Sequence, residues 1–268
     1  MAVKRGTQFA EPQNLHNLQN KQKLPMSKHI GIVACSYEGA ALCYKTICNE
    51  GSQYMGEHGH PEISLHNHPL NEYMKFIVPG DWKGVADLML SSSEKLFGIG
   101  ADFLISPDNT IHQSFELVIE RSPLPWLHIG KEVAKTAGIN NFRKPGILGT
   151  KFLMEGPVYP EVLEEKNIGF CIPAEEQRSK INDIIFNELV YGIINDESRK
   201  YLLDVVNDLK SKGCDSVILG CTEIPLIVLP GDSPLPILDS TRILARAALK
   251  YSAAVGNDDF FETGQGIR

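Results

Sequence analysis

Residues 215–228 read DSVILGCTEIPLIV, and they place a cysteine where chemistry is commonly done. Val217, Ile218 and Leu219 form a short apolar run of the kind that makes a buried strand. Gly220 closes it, and Cys221 and Thr222 follow at its carboxyl end. In an open α/β sheet ligands bind at that end, and the turn beyond it offers free backbone N–H groups to an anion. A thiol there can act as a nucleophile, a proton carrier or a metal ligand. It can equally be a small buried cysteine that ends a strand. Residues 102–112, DFLISPDNTIH, repeat the design: Phe103, Leu104 and Ile105 as strand, a break at Pro107, then Asp108, Asn109 and Thr110. Each unit sets a proton-carrying side chain just after a strand, with a threonine close behind. Two such units could face one another across a cleft.

Two proton carriers that face one another could serve as base and acid for a group held between them, given fixed donors for the charge that develops. A helix starting after Cys221 is expected to lower the pKa of its thiol. An exposed aspartate, at about 3.9, is a weak base. Sequestering Asp108 would raise it and the Asn109 amide would oppose the rise, while capping a helix is the competing role. Thr222, Asn109, Thr110 and Thr150 suit a carboxylate grip or a helix cap, and Glu223 suits a helix N-terminus. Lys151, Arg143 and Arg121 could each grip a distal carboxylate, and nothing in the sequence chooses among them. His66 and His68 alternate along a strand in HNHP, so one of them is expected at the cleft, and His58 and His60 lie nearby. None has a cysteine or carboxylate at zinc-like spacing, so no metal is expected. There is no G-x-G-x-x-G, no Walker A sequence and no lysine in a pyridoxal-phosphate context, so no cofactor is expected either.

The elements that would position these groups alternate strand and helix. Strands are expected at 31–35, 63–65 and 103–105, and helices from the first strand's end to about 49 and over 82–96. Leu42, Ile47 and Cys48 should point inward from the first helix, with Gly51 stopping it. The pattern restarts after Trp126, with strands at 146–148, 169–172 and 217–219 and a short helix at 159–166. Ile181, Ile184, Ile185 and Leu189 mark one amphipathic helix, and Leu202, Val205, Val206 and Leu209 the next. Such alternation implies parallel strands with right-handed crossovers, an α/β fold of two similar halves.

A chain of 268 residues can hold a substantial core, and 43% hydrophobic with 22% charged residues is an ordinary globular composition. The net charge of −7, without a basic stripe, gives no reason to expect nucleic acid. No apolar run approaches a membrane span. Six cysteines without C-x-x-C spacing point to reduced thiols and a cytoplasmic location.

LGCTEIP at 219–225, PDNTIH at 107–112 and GTKFLME at 149–155 together resemble the aspartate/glutamate racemase family of cofactor-independent enzymes. GIVACSYEGAALCY at 31–44, EEQRSKINDIIFNEL at 175–189 and PILDSTRILARAAL at 236–249 extend the resemblance over about 30–252. It implies two flavodoxin-like (Rossmann-like) lobes with parallel sheets, related by a pseudo-two-fold axis, with the active site in the cleft between them. The first lobe would span 29–126 plus 237–252 and the second 127–236, with 1–28 a disordered extension and 253–268 a polar tail. By the same resemblance Asn109, Thr110, Thr150 and Thr222 hold the α-carboxylate and amino group of the substrate, and Ser36 matches the first motif. Glu223 would stand near the amine or the catalytic thiol, and His112 would position its turn. The family carries a cysteine, sometimes a threonine, where this chain has Asp108. The implied reaction is racemisation or epimerisation of an acidic amino acid, aspartate first and glutamate second, with Cys221 on one face and Asp108 on the other. A single-cysteine decarboxylase of the same fold and a non-catalytic amino-acid binder are the rival readings. The partner is a small-molecule amino acid, and a homodimer stays open.

Overall fold

The computed structural model describes residues 27–254, so the amino-terminal extension and the polar tail, apart from their innermost two residues, lie outside the described residues. The chain lays down β1 (Ile30–Ala34), α1 (Tyr37–Glu50), α2 (Ser52–Met55), β2 (Ile63–Asn67), α3 (Leu70–Ile77), α4 (Trp82–Gly98) and β3 (Phe103–Ile105). A 3-10 turn, Thr110–Ser114, leads into α5 (Phe115–Ile119), β4 (Trp126–Leu127) and α6 (Ile129–Ile139). The second half holds β5 (Pro145–Leu148), α7 (Lys151–Met154), α8 (Val158–Glu164), α9 (Glu175–Asn187) and α10 (Asp196–Ser211). It closes with β6 (Ser216–Leu219), α11 (Ile224–Ile227), β7 (Ile237–Asp239) and α12 (Ser240–Ala253).

Two parallel sheets result, in the orders β2-β1-β3-β4 and β5-β6-β7. β1 is buried along its whole length, as a parallel strand covered by helices on both faces must be. Its alternate side chains serve two cores. Ile30, Ile32 and Ala34 pack with Cys43 and Ile47 of α1 and Leu244 of α12. Val33, and Cys35 just beyond the strand, pack instead with Tyr73 of α3 and Val85 and Met89 of α4. In the second sheet Val217, Ile218 and Leu219 pack with Ile181, Ile184 and Ile185 of α9 and with Leu202, Val205 and Leu209 of α10. α12 begins directly after β7 in the second sheet yet buries its apolar face in the first core, so it ties the two lobes.

Some expectations need adjusting. The inward stripe of α1 is Ala40, Cys43 and Ile47, which leaves Leu42 and Cys48 half-buried. Gly51 does not end α1 through a left-handed turn, since its φ is −58°. It is needed because a Cβ there would lie 2.6 Å from the Gly59 carbonyl. The strand expected at 169–172 shrinks to one bridge, Cys171 to Gly146. Gly169 still gives its N–H to the Arg143 carbonyl and Cys171 its own to the Pro145 carbonyl, but Pro173 has none to give. The eight-residue α3 and the three-residue β7 were too short to announce themselves by periodicity. Among the described residues no helix is long and apolar enough to cross a membrane.

Candidate active site

Strand register brings the chemical groups together. β1 pairs Ile32 with Ile105 of β3, and three residues further on Cys35 and Asp108 emerge side by side. β5 pairs Leu148 with Leu219 of β6, and two residues further on Thr150 and Cys221 emerge. These carboxyl ends face each other across one cleft of about 470 Å³, counting the solvent in its mouth. Ser36, Asp108, Asn109, Thr110, Thr150, Cys221, Thr222 and Glu223 all line it.

On the second-lobe side the Cys221 thiol donates to Glu223 Oε2 at 3.0 Å, and the Thr222 hydroxyl donates to the same oxygen at 2.6 Å. Ser36 sits at the N-cap position of α1 but caps nothing; its hydroxyl crosses between lobes to Glu223 Oε1. The approach depends on Gly39, because a Cβ there would stand 2.1 Å from the Thr222 methyl. Glu223 is 3% exposed, a buried carboxylate held by three donors. The lowered thiol pKa expected for Cys221 is not found. Burial pushes the thiol well above its ordinary value, and the charge of Glu223 and its hydrogen bond push further, with only a backbone N–H opposing. The helix that was to lower it, α11, has four residues, too few for a useful dipole. Cys221 therefore rests as a thiol, an acid.

On the first-lobe side Asp108 Oδ1 accepts the N–H of Thr110 at 3.1 Å and of Ile111 at 3.4 Å. The aspartate does cap its turn, and it also faces the cleft, so the two roles coexist. It keeps some solvent contact through the cleft mouth but is otherwise enclosed. That enclosure raises its pKa to about 6, with help from the charge of Glu223. The opposing donors are the Ile111 N–H, the Cys35 thiol and the Thr110 N–H rather than the expected Asn109 amide. A carboxylate in that range is a competent base near neutral pH.

The Asn109 amide is engaged elsewhere. Its Oδ1 accepts from the Tyr159 hydroxyl at 2.6 Å and its Nδ2 donates to Ser240 Oγ at 3.0 Å. Ser240 in turn donates to the Leu219 carbonyl at 2.7 Å, which fastens the Asp108 turn to the last residue of β6. Thr110 and Thr150 share a hydrogen bond of 2.9 Å across the lobes, and Thr150 also caps α7 through the Leu153 N–H. His112 accepts the Ile129 N–H on Nε2, so Nδ1 carries the proton donated to the Asp108 carbonyl at 2.8 Å. Burial holds its pKa down to about 4, and the neutral ring fixes the turn.

Cys35 was missed in the sequence reading. It carries the same signal as Cys221, a cysteine just past an apolar strand. The histidine expected at the cleft is absent from its lining: His66 bonds Ser92 at 2.9 Å and Lys95 at 3.0 Å. Lys151, Arg143 and Arg121 do not line it either. Arg121 pairs with Asp87, Lys151 lies 4.0 Å from Glu155, and Arg143 precedes β5 at the far end of the sheet. In their place the cleft has an apolar end built from Leu70, Met74 and Ile77 of one lobe and Ile185, Phe186 and Val190 of the other. Among the described residues no three His, Cys, Asp or Glu side chains gather as a metal site.

A two-lobed α/β enzyme with a thiol and a carboxylate at opposing strand ends is the class these features define. The Asp/Glu/Hydantoin racemase model matches residues 32–248, and the chain belongs to that family of isomerases. It is 24% identical over 190 residues, 71% of this chain and 81% of the relative, to the broad-specificity amino-acid racemase RacX of Bacillus subtilis (strain 168). A Yersinia pestis protein, described as a candidate Asp/Glu racemase, superposes with a TM-score of 0.77 at 30% identity, over 84% of this chain and 99% of that one. An aspartate racemase homologue from Pyrococcus horikoshii OT3 gives 0.73 at 28% identity, over the same shares of the two chains. Arylmalonate decarboxylase, in a Gly74Cys mutant form, shares the fold at 12% identity with a TM-score of 0.52.

Proposed function

We propose that this protein racemises or epimerises a free amino acid without a cofactor, moving the α-proton between Asp108 on one face and Cys221 on the other. The observation that carries the reading is the opposed pair itself. An enclosed carboxylate raised to about 6 stands across one cleft from a buried, protonated thiol. In one direction the Asp108 carboxylate takes the α-proton while the Cys221 thiol gives its own to the opposite face. The reverse direction starts from protonated Asp108 and the Cys221 thiolate. In this reading the hydroxyls of Thr110, Thr150 and Thr222 hold the α-carboxylate, and Glu223 pairs with the ammonium group.

The side chain of the substrate is apolar in this reading. The cleft already holds two carboxylates, Asp108 and Glu223, and its outer end is apolar. A further carboxylate buried there without a cation would cost several kcal/mol. The reading that puts aspartate first and glutamate second draws its support from family membership and from the aspartate racemase homologue. A cytoplasmic setting fits six cysteines that are all free thiols. The experiment is incubation in deuterium oxide with a panel of single amino-acid enantiomers, scoring α-deuteration and the opposite enantiomer. Inversion of leucine, methionine or phenylalanine ahead of aspartate and glutamate is expected. Preference for aspartate would return the substrate to the acidic class, carbon dioxide release from a malonate would favour a decarboxylase, and ligand-induced stabilisation without any exchange would leave a binder.

A further inference from the structure

Each side of the cleft pairs a thiol with a carboxylate, and one member of one pair has no role yet. Cys35 is 2% exposed, lines the cleft, and lies beside Asp108 because β1 and β3 are paired in register three residues earlier. It packs with Val33, Leu104 and Tyr73, so its position is set by the core. A small buried thiol needs no partner, yet this one stands beside the Asp108 carboxylate at the neighbouring strand end, close enough for that charge to raise it. Resting on the proposed role of Asp108, we propose that Cys35 is its positioning residue: the thiol donates to the carboxylate and holds it for proton transfer at the cleft. The arrangement is the counterpart of Cys221 donating to Glu223.

The direction of the effect follows from which form is bonded. Donation to a carboxylate favours its ionised form, and Cys35 accordingly opposes the burial that raises Asp108. Glu223, Cys221, Tyr73 and Cys35 itself are the titratable groups around Asp108, and His112, held on its backbone carbonyl, is neutral. Cys35 stays protonated throughout, because burial and the charge of Asp108 raise its thiol well above the ordinary value. It can therefore donate across the whole range in which Asp108 titrates.

The test is carboxyl carbon-13 NMR of protein labelled at the aspartate γ-carbon, with the Asp108 signal identified by its loss in Asp108→Asn. Removing the donor in Cys35→Ala should move the Asp108 titration up by about one pH unit. The acid limb of kcat/KM should follow it, with kcat lowered and KM little changed. Cys35→Ser keeps a donor, and a stronger one, so its titration and acid limb should lie at or below those of the wild type. Should the alanine variant fail to fold, the downward movement in the serine variant alone carries the test. Identical Asp108 titrations in the wild type and the folded variants would make Cys35 a packing residue only. Normal racemisation by Asp108→Asn would overturn the proton-carrying role of Asp108 instead, whatever the NMR titration shows.

Discussion

On the second-lobe side of the cleft the thiol and carboxylate come from one turn, Cys221 and Glu223 being two residues apart. On the first-lobe side they come from two neighbouring strands, Cys35 beyond β1 and Asp108 beyond β3. The surroundings differ as well. Glu223 is held by three side-chain donors, Ser36, Cys221 and Thr222. Asp108 is held by two backbone N–H groups with the Cys35 thiol beside it, and burial raises its pKa to about 6. Burial raises both thiols, Cys35 and Cys221, and in the proposed reading the Asp108 carboxylate serves as the base on one side while the Cys221 thiol serves as the acid on the other. An inverting site needs that asymmetry, because two groups resting in the same protonation state could not act as base and acid in one step.

The largest expected effects come from removing either working group. Cys221→Ala and Asp108→Asn should each lower racemisation by about 10²–10⁴-fold, the usual weight of a general acid or base, with ligand binding retained by calorimetry. Near-normal turnover by either variant would break the comparison outright.

Next in size is stability. Folding raises the pKa of Asp108 from an ordinary 3.8 to about 6, so the native state favours the protonated acid. That contribution is fully present below the ordinary value and is lost as pH rises through about 6. The loss is at most about 3 kcal/mol, and less to the extent that the cleft mouth admits water. Asp108→Asn cannot ionise, so relative to the wild type it should gain stability between about pH 4 and pH 7.5, as read from urea midpoints. A constant difference over that range would show that Asp108 is not strained by burial.

The Thr110–Thr150 bond sharpens the lobe-to-lobe comparison. Thr110→Val and Thr150→Val should each cost about 1 kcal/mol in urea unfolding and raise KM, and the double variant should cost less than their sum. Strict additivity would mean that the two hydroxyls do not act together. The smallest effect concerns the tuning of the thiol. Glu223→Gln removes a charge that raises Cys221, so alkylation of Cys221 near pH 8 should quicken several-fold. An unchanged rate would leave burial as the sole cause.

What was legible in the sequence follows the same division. The Cys221, Thr222 and Glu223 turn is legible because it is local: its strand is a run of three apolar residues and its members are consecutive. The Asp108 turn was equally visible, but its thiol partner was not, because Cys35 meets Asp108 only through the pairing of β1 with β3. The raised thiol pKa of Cys221 was illegible for a related reason: it depends on burial and on how short α11 is. The apolar end of the cleft draws on α3 and on the segment around Phe186 and Val190, two regions far apart in sequence that meet only when the lobes face each other. The strands β1, β3, β5 and β6, by contrast, were readable because parallel strands buried on both faces leave near-continuous apolar runs.

The central claim is that Asp108 and Cys221 serve opposite faces of one carbon. Its most direct test is α-proton exchange in deuterium oxide, measured separately for the L and D enantiomers of a single substrate in Asp108→Asn and in Cys221→Ala. The account predicts reciprocal losses: each variant stops exchanging the enantiomer whose α-proton its missing group removes, while exchange of the other persists without inversion. Loss of the same enantiomer in both variants, or wild-type inversion in Asp108→Asn, would contradict it.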